Sequence, residues 1–258
     1  WWFNPARVAD PSEVSTEADI RLSLDDLVAP YRWMFEGETT LASTFRSLGG
    51  TSGPPRIGVI ATQRDGGFDA DGTYHYGAML TGQVKHPDRK FKSTLKRLQN
   101  GRKSAKFATN ADFSDQAWQS WQRIDQMLHA AGVQVRYILP PVAAIPYGRM
   151  KEFGLQLITA LHDHLAHAGI PFYDFTDAAS LGTPDCEFID GIHGGQVSYF
   201  RILRAMAPDL EAGPATRGLV KPVAALDALI AADSGRATLR TEPGKPEIDF
   251  LDLGCNKS

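Results

Sequence analysis

The stretch Cys186-Glu187-Phe188-Ile189-Asp190-Gly191-Ile192-His193-Gly194-Gly195 holds the residues whose types and spacing could do chemistry. A carboxylate three residues before an imidazole can accept from one ring nitrogen, fix the tautomer and leave the other nitrogen free as a base. A helical pattern begins directly afterwards, near Gln196. Taken alone, the same residues also read as a turn at Asp190-Gly191 followed by a histidine at a helix start. A serine hydroxyl would complete a triad. The chain contains no Gly-Asp-Ser, no Gly-Asn-Asp and no G-x-S-x-G elbow, and the last absence argues against an ordinary α/β-hydrolase.

The elements that must position this pair begin near Phe113. Ser114 starts a helix that carries Trp118, Trp121, Ile124, Leu128 and Ala131 on its apolar side and is closed by Gly132. Val133–Leu139 is a β-rich run ending in Pro140-Pro141. A second helix opens at Pro146 or Tyr147 and runs past Phe153, Leu155, Leu157, Ile158, Leu161 and Leu165, with Gly169 beyond its end. Pro171–Phe175 is the next short strand. Two strand–helix units in series argue for a parallel sheet covered on both faces. Ligands of such sheets gather at the carboxyl ends of the strands, here the loop 140–147 and the long loop 176–195. Asp190 and His193 lie in the second loop. Tyr147 and Arg149 follow the first and are candidate substrate contacts. Helical patterns at 196–206 and 222–232 complete this part.

Upstream, Trp1-Trp2-Phe3-Asn4-Pro5 reads as the end of a buried strand whose earlier part is absent from the chain, because three large aromatics need cover. Helices are expected over Leu24–Phe35, capped by Ser23, and over Thr39–Leu48. A strand is expected within Arg56–Thr62 and a turn at Asp71-Gly72. The Asp-rich stretch around that turn does not fit a calcium loop, since Gly67 and Ala78 would occupy the first and twelfth ligand positions. Residues 85–106 carry nine of the 27 Lys and Arg, including Lys92, Lys96 and Arg97, with Asp88 the only acid among them. Phe91, Leu95 and Leu98 form an apolar stripe, so a helix with a basic outer face is expected. Such a face is either solvated or attracts a polyanion such as an acidic polysaccharide.

Composition narrows the class. At 43% hydrophobic and 22% charged, 258 residues are enough for a sizeable core, and a net charge of −3 argues against a nucleic-acid partner. No apolar run reaches the length of a membrane span, and no signal-like n-region and h-region is visible. Cys186 and Cys255 are either two unrelated thiols or one bridge tying the C-terminal tail beside the Asp–His loop, which would imply an oxidising compartment. His162 and His164 point to different sides of their helix, and His164 and His167 lack a third ligand, so a polar helix face is expected there rather than a metal site.

Phe188-Ile189-Asp190-Gly191-Ile192-His193, preceded by Phe172-Tyr173-Asp174-Phe175-Thr176-Asp177 and by Tyr137-Ile138-Leu139-Pro140-Pro141, resembles the C-terminal part of SGNH (GDSL-type) hydrolases. The likeness is to the extracytoplasmic bacterial branch that includes alginate O-acetylation proteins of the AlgX and AlgJ type and DltD-like proteins. It covers roughly residues 113–207, and only the D-x-x-H block is a signature. The resemblance implies a three-layer α/β/α fold with a parallel, flavodoxin-like sheet, incomplete at its N-terminal side and carrying a mostly helical insertion. The division expected is 1–112 for a strand end and insertion, and 113–258 for the α/β part and tail. It further implies His193 as general base and acid, Asp190 as its orienting carboxylate, no cofactor, and an esterase or O-acyltransferase acting on acylated polysaccharide outside the cytoplasm. The family's Ser block is not in this chain, and Ser43, Ser47, Ser52 or Ser104 would serve only in a geometry foreign to the family. The alternative is a non-catalytic pseudoenzyme that binds polysaccharide or a partner through its basic segment.

Overall fold

The computed structural model describes residues 28, 56–57, 67–69, 74–104, 112–213, 216–218, 220–239 and 246–257. They fall into two compact units, one within Ala9–Lys85 and the other within His86–Ser258. In the first, β1 (Arg56–Ile57), β2 (Gly67–Asp69) and β3 (Tyr74–His75) form an antiparallel sheet in sequence order, with Phe68 opposite both Ile57 and Tyr74. The pairing of β2 with β3 brackets the turn expected at Asp71-Gly72, which itself lies outside the described residues. A short helix, α1 (Gly77–Leu80), follows. The helices expected at 24–35 and 39–48, apart from helical Val28, and the strand end at 1–5 also lie outside them.

The second unit is mixed α/β. A 3-10 turn at Arg89–Phe91 leads into the basic helix α2 (Lys92–Ser104). Then come α3 (Asp115–Ala130), β4 (Tyr137–Leu139), α4 (Ala144–Phe153), α5 (Gln156–His167) and β5 (Phe172–Asp174). Two 3-10 turns, Ala178–Leu181 and Asp185–Glu187, precede α6 (Gln196–Ala212) and α7 (Val223–Asp233). β4 and β5 pair in parallel, Tyr137 opposite Phe172, Ile138 opposite Tyr173 and Leu139 opposite Asp174.

Side chains alternate across these two strands and meet helices on both faces. Tyr137 packs on Trp121 of α3 and Phe172 on His162 of α5. Ile138 and Tyr173 pack on a cluster of Phe175 with Ile202, Met206 and Leu210 of α6. A second cluster joins Leu98 of α2 to Val142 and to Met150 of α4, which places the basic helix against the C-terminal ends of the strands.

Three local expectations differ from the structure. The helix expected from 146 to 165 is two helices, because Gly154 takes φ 96°, a left-handed conformation that L side chains rarely adopt and that ends α4. The run 133–139 yields a strand of three residues only, the length over which β5 offers hydrogen-bonding partners. On α3, Ile124 is 56% exposed and Ala131 is exposed as well. At about 100° per residue these two lie about 80° and 100° from the centre of the face shared by Trp118, Trp121, Asp125 and Leu128, beyond its Leu128 edge. That face is fixed by stacking of Trp118 on Trp121 and by the Tyr137 hydroxyl, which donates to Asp125.

Candidate active site

The Asp190–His193 loop leaves the 3-10 turn at Asp185–Glu187 and ends at the start of α6. Its base is closed by backbone pairing: the Ile189 N–H donates to the His193 carbonyl at 2.8 Å and the Gly195 N–H to the Glu187 carbonyl at 2.7 Å. Within it, Asp190 Oδ1 accepts from the N–H groups of Ile192 and His193, both at 2.8 Å. This is the local Asp-to-backbone geometry that aspartate favours at turns. The same carboxylate faces the imidazole, with Oδ2 2.8 Å and Oδ1 3.0 Å from His193 Nδ1. The spacing of three thus folds the imidazole back over the turn that its own carboxylate stabilises.

The electrostatics follow from that geometry. The hydrogen bond to Asp190 raises the His193 pKa above its ordinary value; burial and the charge of Arg97 on α2 pull the other way. For Asp190, burial acts upward but is outweighed by the bonds from His193 and from the two N–H groups, so its carboxyl is held below the ordinary value. The His193 side chain is 69% exposed, and among the described residues its Nε2 has no hydrogen-bond partner. Nδ1–H donating to Asp190 leaves Nε2 as the lone-pair nitrogen, open to a substrate or a hydroxyl.

Glycines let the loop pack. A Cβ on Gly191 would stand 2.6 Å from Thr94 Cγ2 and 2.8 Å from Pro146 Cγ, so only glycine lets α2 and α4 close on the loop. A Cβ on Gly195 would stand 2.1 Å from the Ala237 carbonyl oxygen. Beneath the loop, Glu187 is fully buried and accepts two bonds from Arg201 of α6, at 2.7 and 2.8 Å, and one from the Gly235 N–H at 3.0 Å. Asp185 caps the first turn of α4 through the N–H groups of Ala144 and Ile145. Burial raises its pKa, and these two bonds act against that shift.

The remaining candidates are distributed unevenly. Arg97, exposed on α2, is the basic residue whose charge reaches His193, while Lys92 and Lys96 are exposed on the same helix. Tyr147 is half-buried on α4 with the Lys151 ammonium 4.8 Å from its ring centroid, and burial, then Asp177 and Asp174, raises its pKa. Arg149 donates to Glu152 on its own helix. Neither hydrogen-bonds to His193. Cys186 and Cys255 are joined by a disulfide, which brings the tail beside the loop. His164 stacks on Phe113, His162 meets Asp174 at 3.1 Å and the His167 ring bonds the Asp163 carbonyl, so the three histidines have separate partners. Among the described residues no group of three His, Cys, Asp or Glu side chains is placed to hold a metal ion. Ser43, Ser47 and Ser52 lie outside the described residues, as does the side chain of Ser104.

Sequence reasoning missed His86, Asp88 and Thr94, which lie under the loop, and the Glu187–Arg201 pair. The lone Asp88 in a run of nine bases was the available signal for the first group. No family model, no curated protein and no solved structure matches this chain.

Proposed function

We propose that this chain is an SGNH hydrolase-like protein, with a three-layer α/β/α fold, whose Asp190–His193 pair does the proton work of acyl transfer to and from carbohydrate hydroxyls. The observation that carries this reading is the imidazole held by Asp190 through Nδ1 with Nε2 left open at an exposed edge. Nε2 takes the proton from an attacking hydroxyl as its oxygen bonds the acyl carbon. Asp190 stabilises the imidazolium, which returns the proton to the departing alcohol oxygen as the tetrahedral adduct collapses. Water or an acceptor hydroxyl then releases the acyl group by the same two transfers. Among the described residues no serine hydroxyl hydrogen-bonds to His193 in the role of the nucleophile that the family resemblance calls for. The disulfide supports an oxidising, extracytoplasmic setting.

Removal of either half of the pair tests the reading. Hydrolysis of a small acetyl ester is expected to fall about 10²- to 10⁴-fold in His193→Ala, and by a similar factor in Asp190→Asn. Unchanged turnover in His193→Ala would remove the pair from the chemistry.

The second reading, a non-catalytic polysaccharide-binding protein, is supported by the exposed Lys92, Lys96 and Arg97 on the helix beside the loop. It predicts salt-sensitive binding to acidic polysaccharide that is lost on charge reversal at these three positions and is untouched by His193→Ala.

A further inference from the structure

Two buried polar side chains lie directly under the proposed catalytic loop, and the chemistry just described does not use them. His86 is 5% and Asp88 3% exposed, unusual for residues of these types unless they are fully partnered. The partners are specific. Asp88 Oδ1 accepts from the Thr94 N–H at 2.9 Å, and Oδ2 accepts from the Thr94 hydroxyl at 2.6 Å and from the Gly191 N–H at 3.0 Å. His86 Nδ1 accepts from the Asp88 N–H at 3.0 Å. That bond fixes the tautomer: the lone pair sits on Nδ1 and the proton on Nε2.

The peptide that follows Asp190 is held through the Gly191 N–H by Asp88, and the Ile189 N–H before it donates to the His193 carbonyl. The Gly191 carbonyl also accepts from the Ala143 N–H at the start of α4, at 3.3 Å. A shift of the backbone at Asp190 relative to His193 therefore strains the buried Gly191–Asp88 bond. The scaffold beneath is itself held in place. Lys90 and Phe91 take positive φ values of 54°, an L-residue conformation kept by burial of the Phe91 ring and by the Lys90 N–H donating to the Leu251 carbonyl at 2.7 Å.

We propose that Asp88, itself held by Thr94 and His86, is a positioning residue of the Asp190–His193 pair, setting the approach of Asp190 to the imidazole through the peptide that follows it. The proposal rests on the reading of that pair as a proton-transfer unit. It differs from a general stabilising role because it ties a buried carboxylate on one element to the protonation of an exposed imidazole on another. Among the described residues the charged groups acting on His193 are Asp190 on its own loop and Arg97 on α2, while His86 lies within electrostatic reach of Asp190. A loosened Asp190 therefore leaves burial, with Arg97 adding to it, as the main influence, and the imidazole becomes easier to deprotonate.

The test is the titration of His193 in the full, disulfide-bonded chain, followed by NMR of the imidazole with the thermal midpoint recorded in parallel. In wild type the midpoint is expected above about 6.5, and in Asp190→Asn it is expected to fall. In Asp88→Asn, whose amide places a donor against Thr94 or Gly191, the midpoint is expected to fall by about half a pH unit or more. Thr94→Val, which deletes one hydroxyl, is expected to move it the same way by less, and Thr94→Ser to restore it. A midpoint unmoved in Asp88→Asn, whatever the change in thermal stability, overturns the proposal. If Asp88→Asn does not fold, an unmoved midpoint in Thr94→Val does so. A wild-type midpoint at the ordinary value that Asp190→Asn leaves in place overturns the pair and this proposal together. A pair that responds to Asp190→Asn but not to Asp88→Asn or Thr94→Val overturns this proposal alone.

Discussion

At the residue scale, each position of the Asp190–His193 loop is held from a different direction. Gly191 is where α2 and α4 meet the loop, and its missing Cβ is what permits the contact with Thr94 and Pro146. Gly191→Ala is expected to cost about 1–3 kcal/mol, read from thermal or urea denaturation, because both neighbours are packed and neither can retreat. A variant with wild-type stability would show that the loop does not pack as described. The two histidines here respond to pH in opposite senses. Burial lowers the His86 pKa, so its contribution is intact above about 6.5 and is lost as pH falls toward the lowered value. The His193 pKa is raised, so its contribution is intact below about 6.5 and is lost as pH rises through the raised value. His86→Asn is therefore expected to flatten the loss of stability on acidification from about pH 7 to 5, in denaturation measured across that range. An acid limb as steep as that of wild type would contradict a neutral His86.

At the element scale, the Glu187–Arg201 pair links the site to its support. Glu187 lies at the entrance of the loop, Arg201 on α6 and Gly235 just beyond α7, so one carboxylate ties three segments together. Glu187→Ala leaves a guanidinium mostly shielded from water without its partner, at an expected cost of about 3–5 kcal/mol in equilibrium denaturation. A loss below about 1 kcal/mol would place the pair among ordinary surface bridges. What sequence made legible at this scale follows from periodicity and capping. Ser114 caps α3 through the Ala117 N–H, and the strands β4 and β5 stand where β-rich runs end at prolines or begin after them. The Asp–His contact was legible as well, because a spacing of three in a tight turn leaves little freedom. The bonds that organise the site were not legible. Asp88 and Gly191 are 103 residues apart and Glu187 and Gly235 are 48 apart, and nothing local in a sequence says which distant donor a lone carboxylate will meet. The split between α4 and α5 depended on the φ of a single glycine, which apolar spacing does not encode.

At the scale of the whole molecule, the C-terminal segment acts as a strap across the base of the site. Cys255 is bonded to Cys186, 69 residues earlier. The Lys257 ammonium reaches the Cys186 carbonyl, and Glu247 holds the N–H groups of Ala237 and Thr238. Closing a loop of that length is worth about 4 kcal/mol in the chain-entropy account. Reduction of the bond, or Cys186→Ser with Cys255→Ser, is expected to lower the thermal midpoint by several degrees; an unchanged midpoint would show that the remaining contacts of the tail suffice. The central claim joins all three scales: a strapped α/β unit presents an imidazole whose basicity is set by Asp190. Its most direct test is the pH dependence of kcat/KM for hydrolysis of a small acetyl ester by wild type, Asp190→Asn and His193→Ala. Since the neutral imidazole is the base, the wild-type rate is expected to rise through a pKa above about 6.5. In Asp190→Asn a reduced rate should rise through a lower pKa, and in His193→Ala that limb should vanish. Hydrolysis that keeps the same limb in His193→Ala would contradict the account.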